Sequence, residues 1–419
     1  MIENLIKLLK QESVDAFLIS ESKNEAYQLY FVKDKIETIR SGEFIDTSVT
    51  IYLNHDEKLG DATFKVFSSS TDEEIVEAIK IAKANALNVF NQPYELVKDE
   101  VASFDSETLN LKELASRLAK YILEVKGSHG AKLNATEIFI NRISKRVVNS
   151  SNVDKKSTFY KYMIETIPTF DLEKESVEIY SQKNFSSFTE DEIKEYIKEQ
   201  LFEVEARSKA SKIELDKICD VTLRDLEIET LLSEYVYDLN YSSLATKSNF
   251  LNIGDKIQKG NGDKITLTMR HSIKGCSESA EFDSDGGSFK DKVIIEEGEV
   301  KAFFGGNRFA QYVGQESSGN LPLAELNCGE LTKEDLKDKT YLECLQFSGL
   351  QVDLLNDYLG GEVRLAILHK DGKEIPVCGF SISGKLSTLI SEVKLGKQRI
   401  NSPAYSGPSF ILLKDLTVL

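Results

Sequence analysis

Between residues 14 and 67 the chain carries five runs of β-branched and aromatic residues, at 14–19, 27–31, 36–40, 47–53 and 62–67, parted by short polar breaks. No break is long enough for a crossover helix. The runs therefore read as an antiparallel meander rather than a parallel sheet. The period then changes. Thr71–Asp72–Glu73–Glu74 is a capping box, in which the Thr hydroxyl takes a backbone N–H and the Glu reaches back. Ile75, Ala78, Ile79, Ala82 and Leu87 follow at helical spacing.

A second helix is expected over 111–124, with Leu111, Leu114, Ala115, Leu118, Ile122 and Leu123 on its buried face and Gly127 as a stop. Strands are expected at 137–141, 146–149, 157–165 and 176–182. Thr189–Glu190–Asp191–Glu192 is another capping box. It opens a long helix with Ile193, Tyr196, Ile197, Leu201 and Val204 on one side, read as the link between two halves.

The second half holds one clear helix, over 223–239, with Leu231, Leu232, Tyr235, Val236 and Leu239 in its stripe. After it the chain turns β-rich. Residues 264–270 alternate, 293–295 and 300–304 form a hairpin around Gly298, and 363–369 pairs with 374–381 across Asp371–Gly372, a type I′ turn signal. Residues 410–418 read as a last strand. Helices and strands do not alternate strictly, so the class is α+β: an N-terminal mixed α/β domain with an antiparallel meander, residues 1–211, and a β-rich C-terminal domain, residues 212–419. A length of 419 residues suits two such cores.

Composition narrows the function. The net charge of −17 repels phosphate backbones. The densest basic stretch, Arg142, Lys145, Arg146, Lys155 and Lys156, lacks interleaved aromatics, so no nucleic-acid partner is expected. No apolar run approaches the roughly 18 residues of a membrane span. The start, with Ile2, Leu5, Ile6 and Leu9 in one stripe, resembles an amphipathic helix rather than a signal peptide. Cys219, Cys276, Cys328, Cys344 and Cys378 are odd in number and widely spaced. They fit core thiols in a reducing, cytoplasmic compartment.

The familiar catalytic patterns do not assemble. His55, His129, His271 and His369 fall in no HExxH or HExxxH spacing, and His271 with Cys276 supplies only two ligands for a tetrahedral metal. Gly379 to Lys385 fits the opening of a phosphate loop, but Leu386 stands where a Mg²⁺-binding Ser or Thr is needed. A strand, a turn and a helix start explain the same residues. Asp283–Ser284–Asp285–Gly286–Gly287 resembles the opening of a Ca²⁺ loop without its later ligands, and reads better as a tight acidic turn. No GxSxG elbow occurs. The expected sets of catalytic, cofactor and metal residues are all empty: none.

The order of motifs in the second half is more telling. Phe282 to Gly286 is followed by the apolar hairpin, then Asn307–Arg308–Phe309 and Ser318–Gly319–Asn320. Pro376 to Leu386 runs into a helix, and Ser402 to Phe410 leads the last strand. With a Glu137…Asn149–Ser150 segment in the first half, this order resembles the TldD/PmbA family, known as modulators of DNA gyrase. The resemblance implies a metallopeptidase fold built of paired, related subunits. The TldD-type subunit carries zinc on an HExxxH helix plus a Cys before the final strand. The PmbA/TldE-type subunit lacks both. Here the corresponding helix offers Glu227, Glu229 and Glu234 but no His, and residues 393–407 hold no Cys. The resemblance therefore implies the zinc-free branch, with no cofactor of its own and no catalysis alone. Its expected partners are a TldD-like zinc subunit, or a second copy in a dimer, and an unfolded or flexible peptide as substrate. A stand-alone peptide-binding or scaffold protein is the alternative.

Overall fold

The computed structural model describes residues 1–127, 130–212 and 214–419; His129 lies outside the described residues. In chain order the first half comprises α1 (Ile2–Gln11), β1 (Ala16–Val32), β2 (Lys35–His55), β3 (Lys58–Val66), α2 (Asp72–Ala86), β4 (Val101–Phe104), α3 (Leu111–Glu124), β5 (Ala131–Asn149), β6 (Asp154–Asp171), β7 (Ser176–Glu178), β8 (Ser181–Phe185) and α4 (Glu190–Lys209). The second half comprises β9 (Ile218–Arg224), α5 (Asp225–Asp238), α6 (Tyr241–Thr246), β10 (Leu267–Arg270), β11 (Lys292–Glu296), β12 (Glu299–Val300), α7 (Asn307–Tyr312), β13 (Leu323–Leu326), β14 (Tyr341–Asp353), β15 (Tyr358–Lys370), β16 (Lys373–Val377), β17 (Phe380–Gly384), α8 (Leu386–Glu392), β18 (Lys394–Leu395), β19 (Arg399–Asn401), β20 (Tyr405–Pro408) and β21 (Phe410–Val418). The class is the expected α+β, with a β-rich second half.

The first half is one eight-stranded sheet in the order β3-β2-β1-β5-β6-β4, with β7 and β8 also pairing along β6. Its strands are longer than the apolar runs that announce them. The runs at 14–19 and 27–31 fuse into β1, and those at 137–141 and 146–149 into β5. The physical reason lies on one face. Phe17 and Ile19 bury against α1 and α2, while Leu29 and Phe31 bury against α3 and α4. Period two puts Glu21, Lys23 and Glu25 on that same face between the two helix pairs, where no apolar cover is needed. Lys23 pairs there with Glu25 and Glu43, and Arg142 with Glu25. A polar break in sequence is thus an uncovered middle of a continuous strand.

Both capping boxes form reciprocally, Thr71 with Glu74 and Thr189 with Glu192. Each satisfies helix-end donors that water or strain would otherwise have to meet, an effect of about 1 kcal/mol.

In the second half one sheet runs β12-β11-β10-β13-β20-β19 and the other β14-β9-β21-β17-β15-β16. Because β14 pairs with both β9 and β15, five strands of the latter close into a barrel. Helix α5 is wedged between barrel and sheet, burying Ile228, Leu231, Leu232 and Tyr235. Each such side chain contributes roughly 1.5–3 kcal/mol of transfer free energy. The β15–β16 turn has Asp371 at φ 53° and Gly372 at φ 70°, the left-handed pair that a type I′ turn requires. The alternation at 264–270 yields only the short β10, and the second arm of that hairpin divides into β16 and β17.

Contacts bind the halves at several points. Arg224, at the start of α5, donates to Glu203 of α4 at 2.8 Å and to the Leu345 carbonyl at 2.6 Å. Buried Lys155 of β6 pairs with Glu100 and donates to Ser288 at 2.8 Å. The Arg308 guanidinium lies over the rings of Tyr94, Phe309 and Tyr312, within 5.7 Å of each centroid.

Candidate functional site

The two segments singled out by the resemblance, the helix over 223–239 and residues 393–407, meet in the fold. Ser402 donates its hydroxyl to Glu229 of α5 at 3.1 Å. The loop after β10 closes the third side. Glu278 N–H donates to the Pro403 carbonyl at 3.0 Å, and the Cys276 thiol points at the Tyr405 carbonyl at 3.5 Å. The long sheet closes the fourth side. Lys161 of β6 holds Glu278 at 2.7 Å, and Ser186 donates to the Cys276 carbonyl at 3.4 Å. The cluster therefore sits on the seam between the halves, where four separate segments converge.

Its electrostatics follow from that placement. Burial pushes the Glu229 carboxyl above the usual range, against the stabilising bond from Ser402. Burial also lifts the Cys276 thiol to about 11, with the Glu229 charge adding to it. Cys276 is therefore a neutral thiol at physiological pH and a poor nucleophile. Lys145 is solvent-exposed as a residue, with its ammonium 5.5 Å from the Phe159 ring centroid. Desolvation first, and neighbouring Lys161 second, push it below the ordinary lysine range. Ser277 is buried, and its hydroxyl has no hydrogen-bond partner among the described residues.

Two residues before Glu229, on the other side of α5, burial raises Glu227 to about 7 against the field of nearby Arg224. Arg224 is itself paired with Glu203, which also accepts from Gln346 at 3.0 Å.

These residues do not suit a zinc ion. Glu229 is committed to Ser402, Cys276 to a carbonyl, and no imidazole joins them. Among the described residues no group of three or more His, Cys, Asp or Glu side chains converges in a way that could hold a metal. The structure also keeps His271 and Cys276 from acting together. Nδ1 of His271 is 2.7 Å from Asp291, and the ring stacks on Phe289. His55 faces the Val89 carbonyl, and His369 bonds Glu343 while stacking on Tyr341. Among the described residues no Ser or Cys side chain is hydrogen-bonded to a histidine ring, so no Ser–His or Cys–His pair is assembled.

The other two motifs resolve as turns and strands. Asp283 accepts from the N–H of Ser284 and of Asn320, and Gly287 N–H donates to Asp285. The turn places Gly286 at φ +85°, where an added Cβ would lie 2.5 Å from Val153. The phosphate-loop-like run is β17 followed by α8. Its Ser381 N–H is spent on the Leu419 carbonyl, and Ser387 bonds Asp357. A separate groove of about 560 Å³ opens over β14, β15 and β17, lined by Ser348, Gln351, Tyr358, Glu362, Ser381 and Ser383. It lies apart from the seam. Sequence reasoning named Glu229 only through the resemblance, and gave no signal for Ser402 as its partner or for Lys161 with Glu278.

No helix among the described residues is long and apolar enough to cross a membrane. Residues 216–419 match the family described as PmbA/TldA metallopeptidase C-terminal domain. No curated protein matches the chain in sequence. Solved structures share its fold over essentially the full length. TldE from Thermococcus kodakarensis superposes with a TM-score of 0.79 at 17% identity, covering 100% of this chain and 99% of that one. A protein named as a candidate modulator of a DNA gyrase, from Thermotoga maritima, gives 0.76 at 16% identity, covering 100% and 99%. A similarly named protein from Bacteroides thetaiotaomicron gives 0.78 at 16% identity, covering 99% and 97%.

Proposed function

We propose, on the premise that this chain belongs to the PmbA/TldD family, that it is a zinc-free, TldE-like subunit of a peptidase assembly acting on unfolded or flexible peptides. The observation that carries the reading is the Glu229–Ser402 bond. It ties together the two segments from which a metal-bearing relative would draw its ligands, and it does so with one carboxylate and one hydroxyl, too few ligands to close a tetrahedral zinc site. The metal and the water it activates are assigned to a related partner chain. This chain's own part is to bind and orient. The seam presents Lys145, Lys161 and the Glu229 carboxyl along one side of the long sheet, a setting for the backbone carbonyls and amides of an extended peptide.

The gyrase-modulator name belongs to two of the structural neighbours. Nothing in the charge of this chain, −17 overall, supports contact with DNA. A cytoplasmic location accords with the free thiols at all five cysteines. The reading is tested by incubating an unstructured, labelled peptide with this chain, with a zinc-bearing relative, and with both. Cleavage that rises on mixing supports it; cleavage by this chain alone overturns it.

A further inference from the structure

The groove over β14, β15 and β17 has no part in the seam, and its floor is built from cross-strand rows. Gln351 faces Gly360, which faces Ser383; Gly349 faces Glu362, which faces Ser381. On β15, Leu359 and Val363 turn into the core, so Tyr358, Gly360 and Glu362 share the outer face. Ile382 also turns inward and leaves Ser381 and Ser383 outside. Glycine makes the hollow. A Cβ at Gly349 would meet nothing within 4 Å, and the Tyr358 phenol lies where a side chain at Gly360 would stand. The outer wall of the barrel is thereby hollowed to about 560 Å³, within the range of small-molecule sites.

The polar groups around this hollow are uncommitted. The side chains of Gln351, Tyr358, Glu362, Ser381 and Ser383 make no hydrogen bond or ion pair with any described residue. Ser348 is engaged, accepting from the Arg364 guanidinium at 3.1 Å. The backbone of β15 is spent on ladders to both neighbours, so side chains must do the reading.

Their chemistry narrows the ligand. The two serine hydroxyls, the phenol and the Gln351 amide each donate and accept, and Glu362 accepts. Such a set matches a ligand whose own groups both donate and accept. No Lys or Arg lines the groove, so nothing there would hold a phosphate or a carboxylate. The Tyr358 ring, 39% exposed, offers an apolar face for the C–H side of a sugar ring. Cleaving a glycosidic bond takes two carboxyl groups, and Glu362 is the one carboxylate side chain in the lining, which suits binding without hydrolysis.

We propose that this groove binds a neutral saccharide, its hydroxyls bonded to Gln351, Glu362, Ser381 and Ser383 and its apolar face set on Tyr358. The site is independent of the peptidase reading, because it shares no residue with the seam.

The test presents the full-length chain to an array of neutral mono-, di- and trisaccharides and re-measures the hits by titration calorimetry. At least one neutral sugar binds, at one site per chain. Gly349→Leu, at a position with ordinary backbone angles and open space for a Cβ, fills the groove and abolishes binding with the melting temperature unchanged. Gln351→Ala and Ser383→Ala each weaken binding roughly tenfold, and they decide the matter if Gly349→Leu fails to fold. The proposal is overturned by an array without a hit, or by binding that these variants leave intact. Preference for glucose 6-phosphate or for putrescine over every neutral sugar also overturns it, since the groove would then be an anion or an amine site.

Discussion

Glu229 and Ser402 lie 173 positions apart in the chain, yet a hydrogen bond of 3.1 Å joins them across the seam between α5 and the turn leading into β20. The bond commits the Glu229 carboxylate of α5 to this turn. It also leaves Cys276 with only a carbonyl to address. The immediate consequence concerns metal. Purified protein, dialysed against metal-free buffer, is expected to hold far less than one zinc per chain by elemental analysis. A stoichiometric, tightly held zinc would show that these side chains rearrange into a ligand set.

Glu227 gives a pH signature. Its carboxyl is raised from 4.5 to about 7 in the fold, mainly by burial. The native state therefore holds a proton that the unfolded chain releases. The group's favourable contribution is fully present below about pH 4.5 and is lost as pH rises through about 7. Glu227→Gln, which keeps the shape and removes the charge, should stabilise the protein by about 3 kcal/mol more at pH 8 than at pH 4. Urea unfolding at the two pH values measures this; equal effects would show that Glu227 is solvated or paired.

The Glu203–Arg224 pair secures the joint between α4 and the start of α5. Glu203 is almost wholly buried, and it also accepts from Gln346. Glu203→Ala strands the guanidinium and the amide together and should cost about 3 kcal/mol in denaturant unfolding. Removing both charged partners should cost less than the sum of the single changes. Additive losses would mean the pair is not coupled.

How much of this was legible beforehand depends on the kind of interaction. Local chemistry was visible: the Thr71 and Thr189 capping boxes, the Asp371–Gly372 turn and the final strand, Phe410–Val418, formed as expected. Strand ends were not, because Glu21, Lys23 and Glu25 are polar yet continue β1 across an uncovered stretch of sheet. Strand β14 was missed altogether. Its register slips between Cys344 and Gln346 and again between Phe347 and Gly349, which destroys the period-two pattern that would have revealed it. The seam was half legible. The resemblance pointed to α5 and to residues 393–407, but a Ser–Glu bond across 173 positions has no periodicity or motif to betray it. The Lys161–Glu278 pair, which docks the loop onto the sheet, is equally silent in sequence.

We propose that this chain shapes and binds while a related subunit supplies the metal chemistry. Hydrolysis of a peptide bond needs an activated nucleophile and a stabilised oxyanion. Among the described residues the thiol nearest the seam's carboxylate, Cys276, is held neutral by burial, with its value at about 11. The most direct measurement is the initial rate of cleavage of a labelled, unstructured peptide by this chain, by a zinc-bearing PmbA/TldD relative, and by an equimolar mixture. Negligible cleavage by this chain alone, with chelator-sensitive cleavage that rises well above the relative's own rate on mixing, is the predicted result. Cleavage by this chain alone, or a mixture no faster than the relative by itself, would contradict the account.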